Sequence, residues 1–286
     1  MHNSYILFPN FNPIIISIFN VSIRWYGVMY LLGFVFILNK GTKSIKKIGL
    51  KKTEIEDILY FSFFGLIIGG RLGYILFYNP LFYFNNFIHI FKVWEGGMSF
   101  HGGLLGVIIV ILYFSRKFNR NFFLISDSIV PLVPIALGAG RIGNFINGEL
   151  WGRVAPGFSF SILFPMSREM DLELAKNDLQ LQLLIKKFGM LPRHPSQIYE
   201  FFLEGIILFF VLYYYSKKVK TTGVISSIFL IFYGIFRIIV EIFREPDYQI
   251  GLFKNVLTMG QILSIPMIIL GILIIFSIRR KSKTLI

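Results

Sequence analysis

Apolar residues run in long, nearly unbroken blocks along this chain, and polar residues fall into short clusters between them. An α-helix advances ~1.5 Å per residue, so ~20 apolar residues carry it across a hydrocarbon layer of ~30 Å. Seven blocks approach that length, at 21–39, 57–78, 99–115, 122–142, 197–216, 223–243 and 257–278. The pattern predicts an all-α polytopic membrane protein with seven transmembrane helices. Two intervening segments are too irregular to cross. Residues 79–98 (NPLFYFNNFIHIFKVWEGGM) are aromatic and nearly uncharged, which suits an arm lying in the interface. Residues 144–196 carry Pro156, Gly157 and Pro165, then the charged run Arg168–Lys176 and leucines at 179, 181, 183 and 184. They are expected to form a small extracytoplasmic head with an amphipathic helix, inserted between the fourth and fifth spans and not a separate domain. No internal repeat is visible, so residues 1–286 are read as one integral membrane domain.

Composition strengthens this reading. Of 286 residues, 55% are hydrophobic and 33 are phenylalanine, and the mean hydropathy of +0.68 lies far from the balance of soluble domains. A net charge of +14 would suggest a nucleic-acid partner in a soluble protein, but here the basic residues follow topology. They cluster at 40–52, 116–120, 217–220 and 279–283, after the first, third, fifth and seventh spans. Cytoplasmic loops collect Lys and Arg, so these four ends face the cytoplasm, with the N-terminus outside and the C-terminus inside. No nucleic-acid partner is expected. The absence of cysteine excludes disulfides, a thiolate nucleophile and cysteine-ligated metal, so any thiol chemistry must use a substrate's thiol. No metal site and no cofactor are expected. Met1–Asn20 lacks the basic start and small-residue cleavage site of a signal peptide, and the chain is read as mature.

Chemistry is to be sought among polar residues inside or at the ends of the apolar blocks: Arg71, His101, Arg141, Asn144, Glu200, Glu204, Arg237 and Glu241. A charge at mid-membrane costs at least ~2–3 kcal/mol, so these side chains must face one another, water or a polar ligand. In the topology above Arg141, His101, Arg237 and Glu241 lie toward the outer ends of their spans, which places a shared site toward the outer leaflet. Tyr233, Arg237 and Glu241 follow at four-residue spacing on one helical face. An intrahelical salt bridge accounts for Arg237 and Glu241 as well as a site does. Arg141 stands in GRIGNFINGELWGR (140–153), among Gly138, Gly140, Gly143 and Gly148. Either it snorkels to the interface, or its planar fork grips phosphate oxygens while the glycines leave clearance for an anionic lipid headgroup. Arg153 is open between that site and interfacial anchoring. His101, in SFHGGLLGV, is the one histidine of four inside a predicted span. It either hydrogen-bonds a neighbouring helix or accepts a proton in the reaction. His194, in RHPSQIYE, is read as ordering the start of the fifth span. Gly65, Gly69 and Gly73, with Gly102 and Gly106, predict close helix packing, and Arg71 within that stripe is expected to point at a polar cavity.

These motifs together resemble the prolipoprotein diacylglyceryl transferases, bacterial membrane enzymes that attach diacylglycerol to lipoprotein precursors. The resemblance covers nearly the whole chain and rests on RWYGVMYLLGF (24–34), GGRLGYILFYN (69–79), GGMSFHGGLLGV (96–107), GAGRIGNFINGELWGR (138–153), RHPSQIYE (193–200), FYGIFRIIVEIFREPDYQIG (232–251) and MGQILSIPM (259–267). It implies transfer of the diacylglyceryl unit of phosphatidylglycerol to the lipobox cysteine of a prolipoprotein signal peptide, at the bacterial inner membrane. Glycerol-1-phosphate would be released. The family's phosphatidylglycerol-binding arginine falls on Arg141, and Asn144, Glu149 and Gly152 match other signature positions tied to activity. Tyr26, His101, Tyr233, Arg237 and Glu241 coincide with further functional positions. His101, Arg237, Glu241 and Tyr26 are therefore expected to be catalytic, and Arg141, Asn144, Glu149, Gly152, Tyr233 and Arg71 to bind substrate. His101 is the candidate base, with a tyrosine or a carboxylate as alternatives. A channel with an arginine-lined anion pathway would explain the intramembrane charges but not their clustering at one face. An intramembrane hydrolase would want a G-x-S-x-G motif, which does not occur, and Asp57 and Asp127 lie near cytoplasmic span ends.

Overall fold

The computed structural model describes residues 5–18, 21–78, 80–93, 96–246, 251, 253 and 256–283. Residues 79, 94 and 95 of the expected arm lie outside them. Strands β1 (Ile6–Leu7), β2 (Ile14–Ile18) and β3 (Val21–Arg24) lead into helix α1 (Trp25–Ile45) and α2 (Lys52–Tyr78). Two short helices, α3 (Pro80–Asn85) and α4 (Ile88–Phe91), precede α5 (Phe100–Lys117). Helix α6 (Phe122–Ile129) continues through a 3-10 turn into α7 (Val133–Ile146). The segment after α7 holds β4 (Ile162–Leu163), α8 (Arg168–Leu174), α9 (Leu179–Phe188) and β5 (Pro192–Arg193). Helix α10 (Ser196–Glu200) passes through a π-helical segment, Phe201–Ile207, into α11 (Leu208–Lys218), and α12 (Val224–Glu241) and α13 (Met259–Lys283) complete the chain.

Six of these helical runs are long and apolar enough to cross a membrane: Lys52–Tyr78, Phe100–Lys117, Phe122–Ile146, Ser196–Lys218, Val224–Glu241 and Met259–Arg280. The chain is thus an all-α polytopic membrane protein. Helix α1 has the length, at 21 residues, but Trp25, Tyr26, Tyr30, Asn39 and Lys40 dilute its apolar character, so composition yields six runs where the sequence pattern suggested seven. On α2, Phe61, Phe64, Ile68, Leu72 and Leu76 share one face and stay exposed, as a lipid-facing surface requires. Helix ends are fixed locally. Ser99 caps α5 through Gly102 N–H at 3.3 Å, and Asn121 caps α6 through Phe123 N–H at 2.8 Å. Asp127 on α6 reaches across to the start of α12, accepting from Gly223 N–H at 2.6 Å and Ser226 N–H at 2.8 Å.

Lipid tails are as apolar as leucine, so these helices gain little from burial against one another and rely on close van der Waals packing. Glycine provides it. A Cβ on Gly65 of α2 would come 2.9 Å from Gly106 O of α5, and one on Gly73 would come 2.7 Å from Gly102 Cα. A Cβ on Gly33 of α1 would meet Ala136 of α7 at 2.8 Å. The expected small-residue packing of α2 on α5 is therefore present. At the ends bearing the basic clusters, Ile45, Ile55, Ile58, Phe114 and Ile125 form a fully packed apolar plug.

Arg71 leaves that glycine stripe for the segment of α3 and α4. Its guanidinium donates to the carbonyls of Ile90 at 3.1 Å, Gly97 at 3.2 Å and Lys92 at 3.1 Å, and also to those of His89 and Gly96, with Tyr83 stacked 5.1 Å away. Gly96 and Gly97 adopt φ of 88° and 78°, left-handed values that turn their carbonyls toward it. The polar cavity expected around Arg71 is a cup of main-chain oxygens.

Beyond α7, β1 pairs in parallel with β4, which pairs antiparallel with β5, so the N-terminal strand is stitched to the 147–193 segment. The charged run and the leucines after it form two helices and not one, because Asp178 turns extended and caps α9 through Gln180 N–H at 2.9 Å. At the centre, Arg193 is fully buried, donates to Asp171 at 2.8 Å and Glu245 at 2.7 Å, and lies 5.9 Å from the Trp151 ring. Asp171, also fully buried, accepts from Leu191 N–H at 2.9 Å and Ser167 Oγ at 2.8 Å.

Two stability outcomes follow. Gly102→Val drives side-chain atoms into the α2 backbone and should cost ~1–3 kcal/mol, seen as a lower Tm in detergent, whereas Gly27→Ala, with nothing within 4 Å, should leave Tm unchanged. Asp171→Asn leaves the buried Arg193 with Glu245 as its remaining carboxylate partner and should cost ~1–3 kcal/mol, read as a lower Tm and faster proteolysis within residues 147–193. A Tm within error of the parent protein in either variant contradicts the corresponding packing argument.

Candidate active site

Three helical runs bring their charged residues to one point. Arg141 comes from α7, Glu200 from the end of α10, Glu204 from the π-helical segment, and Arg237 and Glu241 from α12, with Arg244 just beyond it. Arg141 contacts Glu200 at 3.3 Å and Glu204 at 3.0 Å. Arg237 hydrogen-bonds Glu200, pairs with Glu241 and lies 3.7 Å from Glu204. Arg244 reaches Glu200 at 3.4 Å and Glu241 at 3.6 Å. The salt bridge between Arg237 and Glu241 is thus real, but it is one edge of a network of three arginines and three glutamates.

The network is sided. The Glu200 and Glu204 side chains are wholly buried, whereas those of Arg141 and Arg237 are 15% and 11% exposed. The carboxylates of Glu200 and Glu204 lie deeper than the side chains of Arg141 and Arg237, so the cations are the accessible side of the cluster. Arginine forks match phosphate oxygens bidentately, which suits this side to a phosphate-bearing ligand.

Tyrosine and histidine wall the same place. Tyr233, 1% exposed, lies one turn before Arg237 on α12 and stacks on Phe100 at 4.5 Å. Phe100 neighbours His101, which feels the charge of Arg237 and donates a ring N–H to the Leu263 carbonyl. Its Nε2 is buried without a hydrogen-bond partner, which leaves one ring nitrogen for a ligand. Tyr26 and Tyr30 of α1 pack with ring centroids 4.8 Å apart, their planes tilted by 56°, and hydrogen-bond each other within the field of Arg141. The glycines around Arg141 make this possible. A Cβ on Gly143 would come 2.9 Å from Tyr26 Cα, and one on Gly140 would come 2.9 Å from the Tyr30 ring. Gly138 sits against Gly205 of the π-helical segment, where a Cβ would come 3.2 Å from the facing Cα. The clearance these three glycines supply is taken by neighbouring helices.

Asn144 and Asn147 hold Glu149 by amide hydrogen bonds at 3.0 and 3.2 Å, and the Glu149 carbonyl accepts from Gln197 at 2.7 Å. Gly152 is a backbone crossing. Its N–H donates to His194 O at 2.8 Å, and a Cβ there would lie 2.6 Å from both His194 O and Phe243 O. Arg153 donates to the Arg244 carbonyl at 3.1 Å, so it belongs to that crossing. His194 Nδ1 meets Tyr199 OH at 3.1 Å beside Phe158 and Phe243, and burial holds its imidazole below the usual range. Its place at the start of α10 matches its expected ordering role.

Of the expected residues, Tyr26, His101, Arg141, Asn144, Glu149, Tyr233, Arg237 and Glu241 line this region, while Arg71 binds the α3–α4 segment and Gly152 joins backbones. Glu200 and Glu204 stood out in the sequence only as costly charges, and Arg244 gave no signal. The charge balance was the available clue, since Arg141 and Arg237 needed more than Glu241 to neutralise them.

Residues 13–277 match the profile of a family described as prolipoprotein diacylglyceryl transferase. A phosphatidylglycerol–prolipoprotein diacylglyceryl transferase of Buchnera aphidicola subsp. Baizongia pistaciae is 65% identical over 97% of this chain and 99% of that protein. Proteins of the same name from Wigglesworthia glossinidia brevipalpis and Serratia proteamaculans are 57% and 52% identical, over 97% and 99% of this chain and 99% of each relative. With a profile match over nearly its whole length and relatives this close, the chain belongs to the prolipoprotein diacylglyceryl transferase family.

Proposed function

We propose that this protein transfers the diacylglyceryl group of phosphatidylglycerol to the lipobox cysteine thiol of prolipoproteins, as the names of its relatives describe, in the first step of lipoprotein maturation at the inner membrane. The observation that carries the chemistry is the pair of partly exposed arginine side chains, Arg141 and Arg237, beside the unpartnered Nε2 of His101. A carbon–sulfur bond forms at the glycerol carbon, and the carbon–oxygen bond to phosphate breaks. The electron pair leaves on the phosphate of glycerol-1-phosphate. The thiol, with an ordinary pKa near ~8.5, is a weak nucleophile at neutral pH, and His101 Nε2 takes its proton as it attacks. Arg141 and Arg237 stabilise the charge that develops on the leaving phosphate, Glu241 orients Arg237, and Tyr26, Tyr233 and Asn144 hydrogen-bond the headgroup. A tyrosine or carboxylate base is the alternative that the His101 test below addresses. Glu149 fixes Asn144, and Gly152 keeps the wall beneath them closed.

The reading places the site toward the outer leaflet. Helix α1, about 31 Å long at the standard helical rise, serves as a seventh span, packed along α7. The N-terminus then lies outside and the C-terminus inside. The described residues 80–93 and 96–98 form the interfacial arm, anchored by Arg71, and residues 147–195, between the α7 and α10 runs, form the extracytoplasmic head, since 144–146 and 196 belong to the helices on either side. Basic last turns on α1, α5 and α11 support this orientation.

Transfer of labelled diacylglycerol from phosphatidylglycerol to a lipobox peptide by the purified protein tests the function directly. Arg141→Lys keeps the charge but loses the planar fork, and kcat/KM should fall on the order of 10²-fold. Undiminished transfer would remove the bidentate phosphate role. His101→Gln should lower kcat by ~10²–10⁴-fold and erase the acidic limb of the pH–rate profile; a persisting activity with the same profile assigns the base elsewhere.

A further inference from the structure

Glu200 and Glu204 raise a question of charge that phosphate binding does not answer by itself. Three guanidinium groups (Arg141, Arg237, Arg244) face three carboxylates (Glu200, Glu204, Glu241), so the cluster is neutral as it stands. An anionic headgroup arriving at Arg141 and Arg237 makes it net negative, inside a wall of apolar helices where uncompensated charge costs several kcal/mol. One carboxylate must give way, and the two buried ones are not held equally. Glu200 is gripped by all three arginines. Glu204 is hydrogen-bonded through Oε2 alone, by Arg141 Nε at 3.3 Å and Nη2 at 3.0 Å. Each carboxylate has one buried oxygen that accepts no hydrogen bond, but Glu200 Oε2 still has Arg141 at 3.3 Å, whereas the nearest cation to Glu204 Oε1 is Arg237 at 3.7 Å.

The local fold sets this up. Glu204 lies in the π-helical segment, a rare form whose hydrogen bonds reach one residue further than in an α-helix. Gly205 beside it packs on Gly138, where a Cβ would come 2.9 Å from the facing Cα, so the segment and α7 approach closely enough for Glu204 to meet Arg141. The groups that face this carboxylate are Arg141 from α7, Arg237 and Tyr233 from α12, and Glu200 from α10. Glu241 and Arg244 stand one contact further on, and the titratable groups of α11 begin only at Tyr213.

We infer that Glu204 is the exchangeable counter-ion of Arg141: a phosphate monoanion takes its place on the guanidinium, and the displaced carboxylate takes up one proton from the aqueous phase. The cluster then stays neutral with ligand bound, and no bond other than O–H is made. Glu204 is a positioning residue, which holds the Arg141 fork in place until the headgroup arrives. This inference rests on the phosphate role of Arg141 given above.

The test is calorimetric titration of the full-length protein in detergent with short-chain phosphatidylglycerol, in buffers of differing ionisation enthalpy. The wild type should take up about one proton per lipid, and its affinity should fall about tenfold per unit between pH 7 and pH 9. Glu204→Gln carries a permanently neutral group, so its binding should lose both the proton uptake and the pH dependence, and should be at least about tenfold tighter than wild type at pH 9. A merely structural Glu204 predicts the opposite sign, weaker binding with the pH slope retained. Lipid binding by the wild type without proton uptake, or weaker binding by the variant, overturns the inference. Absence of proton uptake by the wild type overturns the inference even if the variant does not fold. If the wild type neither binds phosphatidylglycerol nor transfers from it, the phosphate role of Arg141 falls first and this inference with it.

Discussion

The structure depends on one constraint: guanidinium and carboxylate groups placed among apolar helices must balance. Removing two charges from water costs several kcal/mol per ion, and only close, mutual pairing offsets it. Arg237 meets that requirement by touching Glu200, Glu204 and Glu241 together, and Arg141 by touching the first two. These contacts exist in one register of α7, the α10–α11 run and α12. A shift by one residue on any of them would rotate a charge toward lipid. Such a network contributes little net stability, but it selects a single arrangement of helices from the many that glycine-rich, apolar surfaces would allow. The glycines make close approach possible, and the charges decide which approach is used.

The same constraint extends into the segment beyond α7. Arg244 turns its side chain inward to Glu200 and Glu241 while its carbonyl accepts from Arg153, and Glu245 next to it pairs with the buried Arg193. Arg193 in turn binds Asp171 and the Gly152 carbonyl. Two adjacent residues after α12 therefore serve two buried charge systems, and the backbone crossing at Gly152 sets their separation. A side chain at Gly152 would push apart His194 and Phe243, on the two segments that carry both systems.

What was legible in the sequence follows from what a sequence encodes. The long apolar runs state their own helices, and clustered Lys and Arg mark their ends. Helix α1 is ambiguous because length and apolarity disagree there, its Tyr26 and Tyr30 packing on Gly143 and Gly140 of α7. Arg71 pointed to a polar surrounding, which is correct, but the acceptors are main-chain carbonyls that no residue type announces. Gly140 and Gly143 said that something comes close; the structure names Tyr30 and Tyr26 in place of a ligand. Glu200 and Glu204 escaped assignment because their shared direction depends on a π-helical stretch, which the 3.6-residue pattern cannot express.

The burial order of the network makes it useful as well as permissible. With the carboxylates of Glu200 and Glu204 deeper than the side chains of Arg141 and Arg237, the cations are the accessible side of a cluster that is neutral as a whole. Its donors are fixed before any ligand arrives, so little reorganisation is needed when charge develops on a phosphate. Redundancy keeps them fixed. Arg141 retains Glu200 if Glu204 is displaced, and Arg237 retains Glu200 and Glu241. A lone ion pair would have to break to admit an anion, freeing its arginine to move. Here one contact is exchanged while the remaining contacts hold the geometry, which is why two more carboxylates than the chemistry directly needs are built into the wall.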